Sequence, residues 1–417
     1  MKKAIEEYLH SLEKETSKYL LLDKEIAYIK DPVFGIVRNR VSAEYLKAII
    51  RLYGEKKRDT IEKLVNFLLS RQNPNGSWNE IHPNYNQESA LVTSFVGEAL
   101  LLSLPYLDED LKEWAQQALR RAKEFVLSSE IEPGYFLKSR LYTADYLNVD
   151  ATCGAFLAQY YKVFKDDKAL EGAKRAARRV CNFQEKDGSF PYTINRGSEK
   201  YHLKVPCIHY QGVTLYYLSK IQEVIQEEQL KKCMLNGAEW LSKAQNGKRF
   251  DWSKSGLMFA YYLTGAYAFG ITSFLYASQW KEEYLENAQN LFPILKENTP
   301  SIALRWEKGK WKDFPGDIIT SFKSAWIGDY PITHKLFRLG YALYRQLARR
   351  RFSEKVQKDW VFNVVTKLFG IKSSTIEPSK NFPDMFMTSE ILDSLSYSLA
   401  QIYKYPLIGL DQEEGIK

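Results

Sequence analysis

At 417 residues, 45% hydrophobic and 26% charged, the chain has an ordinary globular composition, and four cysteines without CxxC pairing exclude a disulfide framework. Its formal charge of +8 comes with Lys and Glu interleaved along most segments, the pattern of solvated faces, and no nucleic-acid module is present. No apolar run reaches the length of a membrane span and residues 1–7 lack the core of a secretory signal, so a reduced, cytoplasmic protein without a transmembrane segment is expected.

In chain order, residues 1–40 are highly charged and broken at Asp31-Pro32, which predicts an N-terminal helical extension packed on the body. The body then repeats one phrase. Ile61, Leu64, Val65, Phe67 and Leu68 recur at helical spacing among charges and lead to the turn Gly76-Ser77-Trp78. Residues 90–101 follow, almost uncharged and rich in small side chains, as expected of a helix that is apolar on most sides and buried. The next turn, Gly134-Tyr135-Phe136, precedes a buried stretch at 154–161 and an amphipathic one carrying Ala169, Ala173, Ala176 and Val180. Gly188-Ser189-Phe190 ends that pair. A fourth turn runs from Gly247 to Trp252, before an uncharged helix expected at 257–267, and Gly309-Lys310-Trp311 is the fifth. Less regular helical stretches follow at 334–350 and 354–368, and a buried one at 388–403.

Successive turns lie about sixty residues apart, room for two helices and their connections. Such a helical hairpin cannot bury its apolar face alone, so a run of them must stack or close. Alternation of buried with amphipathic helices predicts inner helices wrapped by outer ones. The expected fold is an all-α, single-domain α/α toroid of about six hairpins across 1–417, with at most short strands in its loops.

Two turns are close relatives of each other: Arg71-Gln72-Asn73-Pro74-Asn75-Gly76-Ser77-Trp78 and Phe183-Gln184-Glu185-Lys186-Asp187-Gly188-Ser189-Phe190. With a partial third, from Gln245 to Trp252, they resemble the Gln-Trp repeat of squalene-hopene cyclases and the matching repeats of protein prenyltransferase β subunits. The resemblance covers roughly residues 60 to 315 and implies a toroid of the terpenoid-cyclase and prenyltransferase type, with the turns as structural clamps. Residues 148–152 also resemble the Asp-x-Asp-Asp-Thr acid motif of class II terpene cyclases. Asp150 matches its middle, proton-donating Asp, while Asn148 and Ala151 replace the other two carboxylates. Prenyltransferase β subunits bind zinc through Asp, Cys and His, and the resemblance would carry that set onto Asp150, Cys153 and His209. The Asp-x-Cys spacing of that family is three residues here.

In a toroid the inner helices start at one rim, which makes Glu88, Asp150, His209 and Glu390 candidates to face one pocket. Asp150, His209 and Tyr210 are the expected acid–base groups, with Glu88 and Glu390 in support. Asp150 also reads simply as an acidic residue in a first helical turn, after Asn148 as cap. The 28 tyrosines favour a sugar ligand, since hydroxyl-bearing rings both stack and hydrogen-bond. Residues 206–215 resemble the buried His-containing helix of helical-toroid proteins of exopolysaccharide and uronate biosynthesis. Tyr146, Gln211 and Tyr262, with a loop holding Trp326, Asp329 and His334, are the expected substrate contacts.

The function expected is therefore an enzyme acting on a small-molecule or oligosaccharide substrate in the toroid cavity, by hydrolase, lyase or epimerase chemistry. Isoprenoid chemistry, as a reduced cyclase or a zinc-dependent transferase, is the alternative, and a non-catalytic binding scaffold is the third. No cofactor motif is present.

Overall fold

The computed structural model describes residues 1–83, 85–198, 203–354 and 380–403. Six of its helices, α2 (Asn39–Tyr53), α4 (Ala90–Ser103), α6 (Leu147–Phe164), α8 (Ile208–Ile225), α10 (Gly265–Ala277) and α14 (Met385–Tyr397), are buried along nearly their whole length. Each packs against the next, and α14 packs back onto α2, so they form a closed inner ring. Helices α3 (Arg58–Ser70), α5 (Glu109–Ser128), α7 (Asp167–Asn182), α9 (Glu228–Lys243) and α11 (Tyr284–Glu297) bury one stripe and keep the other in water. They lie outside, each against its own inner partner. The chain is thus an all-α toroid of the expected kind.

The sixth outer position belongs to the first helix of the chain. Helix α1 (Lys2–Thr16) buries Ile5, Leu9 and Leu12 and packs on α14. Burying each such side chain contributes about 1.5–3 kcal/mol. Tyr8 donates to Thr299 Oγ1 at 2.9 Å beyond α11, and Glu13 accepts from Tyr45 at 2.7 Å and Tyr53 at 2.8 Å on α2. The segment expected as an extension therefore stands between its neighbours in the outer ring. Among the described residues, no helix is long and apolar enough to cross a membrane.

The Gly-aromatic turns tie neighbouring hairpins together. Gln72 Nε2 donates to the carbonyls of Gly76 at 3.0 Å and Ala118 at 2.9 Å, the second being on α5. Gln184 repeats this with Gly188 and Cys233 of α9, and Gln245 with Gly247 and Asn287 of α11. One amide thus holds its own turn and the next outer helix. Replacing Gln184 by Ala is expected to cost about 1–3 kcal/mol, two hydrogen bonds at roughly 0.5–1.5 kcal/mol each, read as a lower urea midpoint at unchanged m. Trp311 of the fifth turn is 59% exposed and clamps nothing comparable.

Two helices, α12 (Phe314–Ala325) and α13 (Ile332–Ala348), are inserted before α14 and pack on each other. They account for a correction. The uncharged stretch 257–267 is not one helix: a single turn at Met258–Ala260 gives way to extended backbone, Tyr262 has φ +62°, and α10 begins only at Gly265. The carbonyl of Tyr261 accepts from Arg345 of α13 at 2.9 Å and that of Tyr262 accepts from the Glu307 N–H at 2.8 Å. Backbone groups engaged by side elements cannot pair within a helix. The stretch expected at 334–350 is α13, that at 388–403 is α14 with a following π-turn at Ser398–Ile402, and 355–368 lies outside the described residues.

Connections are unequal at the two ends of the ring. Those leaving inner helices are short, such as 54–57, 104–108 and 165–166, whereas those entering them are long and carry the β hairpins. Ahead of α2 lies the short hairpin β1 (Leu20–Leu22) with β2 (Ala27–Ile29), and the hairpin β3 (Trp78–His82) with β4 (Tyr85–Ser89) is the longest of these. The long, hairpin-bearing connections are therefore gathered where the inner helices begin.

Candidate functional site

The fourth residue of an inner helix has a fixed duty in three consecutive hairpins. Thr93 Oγ1 accepts from the Trp78 N–H at 2.9 Å, Asp150 Oδ1 from the Phe136 N–H at 2.8 Å, and Gln211 Oε1 from the Phe190 N–H at 2.8 Å. Each latches the Gly-aromatic turn to the helix it precedes. Asp150 is fully buried beside Asp145, itself paired with Arg179, and burial followed by the Asp145 charge pushes its carboxyl well above the usual range. Gln211 additionally donates to the carbonyls of Gly188 and Gly237, both at 3.0 Å. These two residues thus sit in the clamp between hairpins, apart from the group built around His209.

Two further candidates also lie apart from that group. Glu88 pairs with Asn79 across the β3–β4 hairpin, on the face opposite Glu80, and is exposed, accepting from Asn75 at 3.1 Å. Strand alternation turns it away from the rim. Cys153 lies against Ser94 Oγ on α4 at 3.5 Å, with its thiol pushed up by burial. Among the described residues no three His, Cys, Asp or Glu side chains converge as metal ligands, so Asp150, Cys153 and His209 are not assembled as a zinc set.

His209 and Glu390, from α8 and α14, are brought together. His209 Nε2 is 3.8 Å from Glu390 Oε2, and both residues are almost fully buried. Arg40, at the start of α2, donates to Glu390 Oε1 at 2.7 Å and to Glu44 Oε1 at 2.8 Å, its guanidinium lying between the rings of Phe95 at 4.2 Å and Phe386 at 4.3 Å. One guanidinium cannot neutralise two buried carboxylates, so a proton stays with the pair. Burial, with Glu44 opposing Arg40, raises Glu390 to about 8. Burial and then Arg40 and Arg305 lower His209 to about 3. Both shifts favour the uncharged form, of the carboxyl on one side and of the imidazole on the other. Glu390 Oε2 and His209 Nδ1 have no hydrogen-bond partner. Gly265 permits the approach, since a Cβ there would lie 2.6 Å from Glu390 Oε2.

Aromatic rings collar this pair. Tyr210 packs edge-on against His209 at 5.1 Å and against Tyr192 at 4.8 Å, which reaches Tyr146 at 5.2 Å and Phe259 at 5.4 Å. On the other side Phe386 touches His82 at 6.0 Å, followed by Tyr85 at 4.7 Å and Tyr142 at 5.7 Å. Glu80, beside them, accepts from Tyr85 at 3.0 Å and pairs with Lys138 at 3.1 Å and His82 at 3.3 Å. Burial alone would raise its carboxyl, but Lys138 and His82 hold it well below the usual range. Neither Arg40 nor Glu80 was anticipated. The period-two pattern Trp78-x-Glu80-x-His82 is the signal that would have found the latter.

Of the remaining expected contacts, Tyr146 is buried in the collar with its hydroxyl 3.3 Å from Ser198 Oγ. Tyr262 lies away from it, buried under the Arg349 guanidinium at 3.7 Å. Trp326 and Asp329 are exposed on the loop between α12 and α13, where Lys335 covers Trp326 at 5.1 Å, and His334 is buried against Tyr330 at 5.1 Å. Nothing in these contacts joins the loop to His209.

Below the rim the ring is filled by charge. Asp393 accepts from Lys47 and Arg51, each at 2.7 Å, and Glu98 from Lys220 at 2.8 Å and Lys47 at 3.2 Å. All five are buried.

The fold is an α/α toroid whose inner ring carries His209 and Arg40 near helix starts and a buried charge cluster below them. No family model matches the chain, and no curated protein sequence matches it. Among solved structures it is similar to an unsaturated glucuronyl hydrolase specific for heparin, at 12% identity and TM-score 0.60 over 98% of this chain and 100% of that one. It is also similar to the cellobiose 2-epimerase of Bacillus thermoamylovorans B4167, at 11% identity and TM-score 0.57 over 72% and 88% of the two chains. A third is the GH76A α-1,6-mannanase of Salegentibacter sp. HEL1_6, at 11% identity and TM-score 0.54 over 95% and 99%. At such identities the likeness is one of fold.

Proposed function

We propose that the chain is an enzyme acting on a sugar at this rim, by proton transfer of the isomerase or epimerase type. The observation that carries the reading is the buried approach of His209 Nε2 to Glu390 Oε2 at 3.8 Å, where burial disfavours charge on either group. Two titratable groups whose surroundings drive their pKa values apart form an acid and a base that coexist at one pH. With the C1–C2 edge of an open-chain sugar laid against the pair rather than between its members, His209 takes the proton from the carbon beside the carbonyl while Glu390 gives its proton to the carbonyl oxygen, leaving an enediol. Return of a proton to either carbon completes the exchange. Arg40 holds Glu390 in place and offsets the negative charge that develops. Asp150 and Gln211, engaged with the turns, are assigned no step. The toroid folds of a cellobiose epimerase, a D-mannose isomerase and two glycan hydrolases support a sugar as substrate. The isoprenoid alternative loses the zinc set on which one of its forms depended.

The test is solvent exchange. In heavy water, aldoses incubated with the protein are expected to lose their C2 proton signal, and His209→Ala or Glu390→Gln to slow this by at least about 100-fold with the circular dichroism unchanged. Because the acid must be protonated, the rate falls as pH rises through about 8 and shows no matching fall on the acid side above about 3. Release of new reducing ends without exchange would sink the isomerase reading in favour of hydrolysis.

A further inference from the structure

We infer that the inward face of the β3–β4 hairpin is a second sugar subsite, so that the rim takes a glycan of at least two neutral units; this rests on the sugar reading above. Antiparallel register sets Glu80 opposite Gln87 and His82 opposite Tyr85, and strand alternation sends all four to one side. Glu80 Oε1 is fully occupied by Tyr85, Lys138 and His82. Its second oxygen, Oε2, is buried without a partner, and so is Nε2 of Gln87 on the facing strand. Buried polar atoms are normally satisfied, so an unpaired acceptor and an unpaired donor on one hairpin face point to a ligand that supplies both roles. A sugar hydroxyl does so.

The surroundings suit a pyranose ring. His82, Tyr85 and Tyr142 are half-buried rings in contact, and the Lys138 ammonium lies 4.5 Å from the Tyr142 centroid. Tyrosine rings of this kind offer a flat apolar face with a polar edge. Phe386 is the hinge between the two places: one neighbour is His82, and the other is Arg40, which holds Glu390. The hairpin face is therefore one ring away from the acid–base pair. Lys138 balances Glu80, and burial lowers the His82 imidazole from its usual range. A neutral unit fits that balance, whereas a uronate would bring its carboxylate against Glu80.

Calorimetric titration of the full chain with mannose and α-1,6-mannobiose, and with glucose and cellobiose, tests this. At least one disaccharide is expected to bind about tenfold or more tighter than its monosaccharide, and Tyr142→Ala and Glu80→Gln to bring that ratio toward one. Tyr142 is half-exposed in a loop, so its variant remains informative if loss of the buried Glu80 carboxylate impairs folding. Equal affinity for both lengths in the unaltered protein, or a ratio that survives Tyr142→Ala, overturns the second subsite alone. Binding of neither length overturns the sugar reading with it.

Discussion

Gly188→Ala is expected to destabilise the protein by about 4 kcal/mol, the sum of a strained backbone and an overpacked contact. Gly188 has φ +94°, a conformation that side-chain-bearing residues rarely adopt. A Cβ there would stand 2.2 Å from the carbonyl oxygen of Asn236, which is backbone inside α9 and has no rotamer by which to withdraw. Gly76 against Arg121 and Gly134 against Arg175 are built the same way, at 2.5 Å and 2.3 Å. Gly247 supplies the control: φ is +57° and nothing lies within 4 Å of the added carbon, so its Ala variant should lose only about 1 kcal/mol. Urea unfolding of the two variants measures the difference. Equal losses would mean that the close packing of turn on helix contributes nothing.

Asp393→Ala is expected to cost about 3–5 kcal/mol, because it strands cations that are already out of water. Lys47 keeps Glu98 at 3.2 Å, but Arg51 is left with the carbonyl of residue 393 at 2.9 Å and the Ser396 hydroxyl at 3.2 Å. Burial would raise the Asp393 carboxyl, yet Lys47, Lys220 and Arg51 hold it below the usual carboxylate range. A depressed folded-state pKa contributes stability that is complete above the unfolded value of about 4 and is lost as pH falls toward the folded one. The unaltered protein should therefore weaken on acidification below about pH 4, and the variant should show less of that slope. Glu390 works in the opposite sense. Its raised pKa removes stability as pH climbs from the unfolded value to about 8, so Glu390→Gln should flatten the fall between about pH 4 and 8 in the same stability curve.

The ring was legible in the sequence because its causes are periodic. Buried helices such as α4 and α6 announce themselves by lacking charge, and Gly76 and Gly188 recur because nothing else fits beside the next outer helix. The stretch 257–267 was misread for a physical reason: apolar composition records burial, and here the burial comes from α13 and the residues around Glu307 rather than from helical neighbours. The site was legible in part. His209 and Glu390 stand out as ionisable residues near the starts of buried helices, and they do meet. Asp150 stands out equally, yet its partner is a backbone N–H fourteen residues earlier, which composition cannot reveal. Arg40 was hidden because an arginine near a charged N-terminal segment reads as solvent-facing, until α14 closes over it and sets Glu390 at 2.7 Å.

That closure has a consequence for how the molecule is made. The sixth hairpin is assembled from α14 and α1, so the two halves of one packing unit are separated by all the other hairpins along the chain. The intervening hairpins bury their stripes against neighbours as they emerge, but Ile5, Leu9 and Leu12 have no α14 to meet until the ribosome has passed residue 397. Arg40 and His209 likewise wait for Glu390. The same late step that seals the circle therefore creates the acid–base pair, and an unfinished chain holds neither.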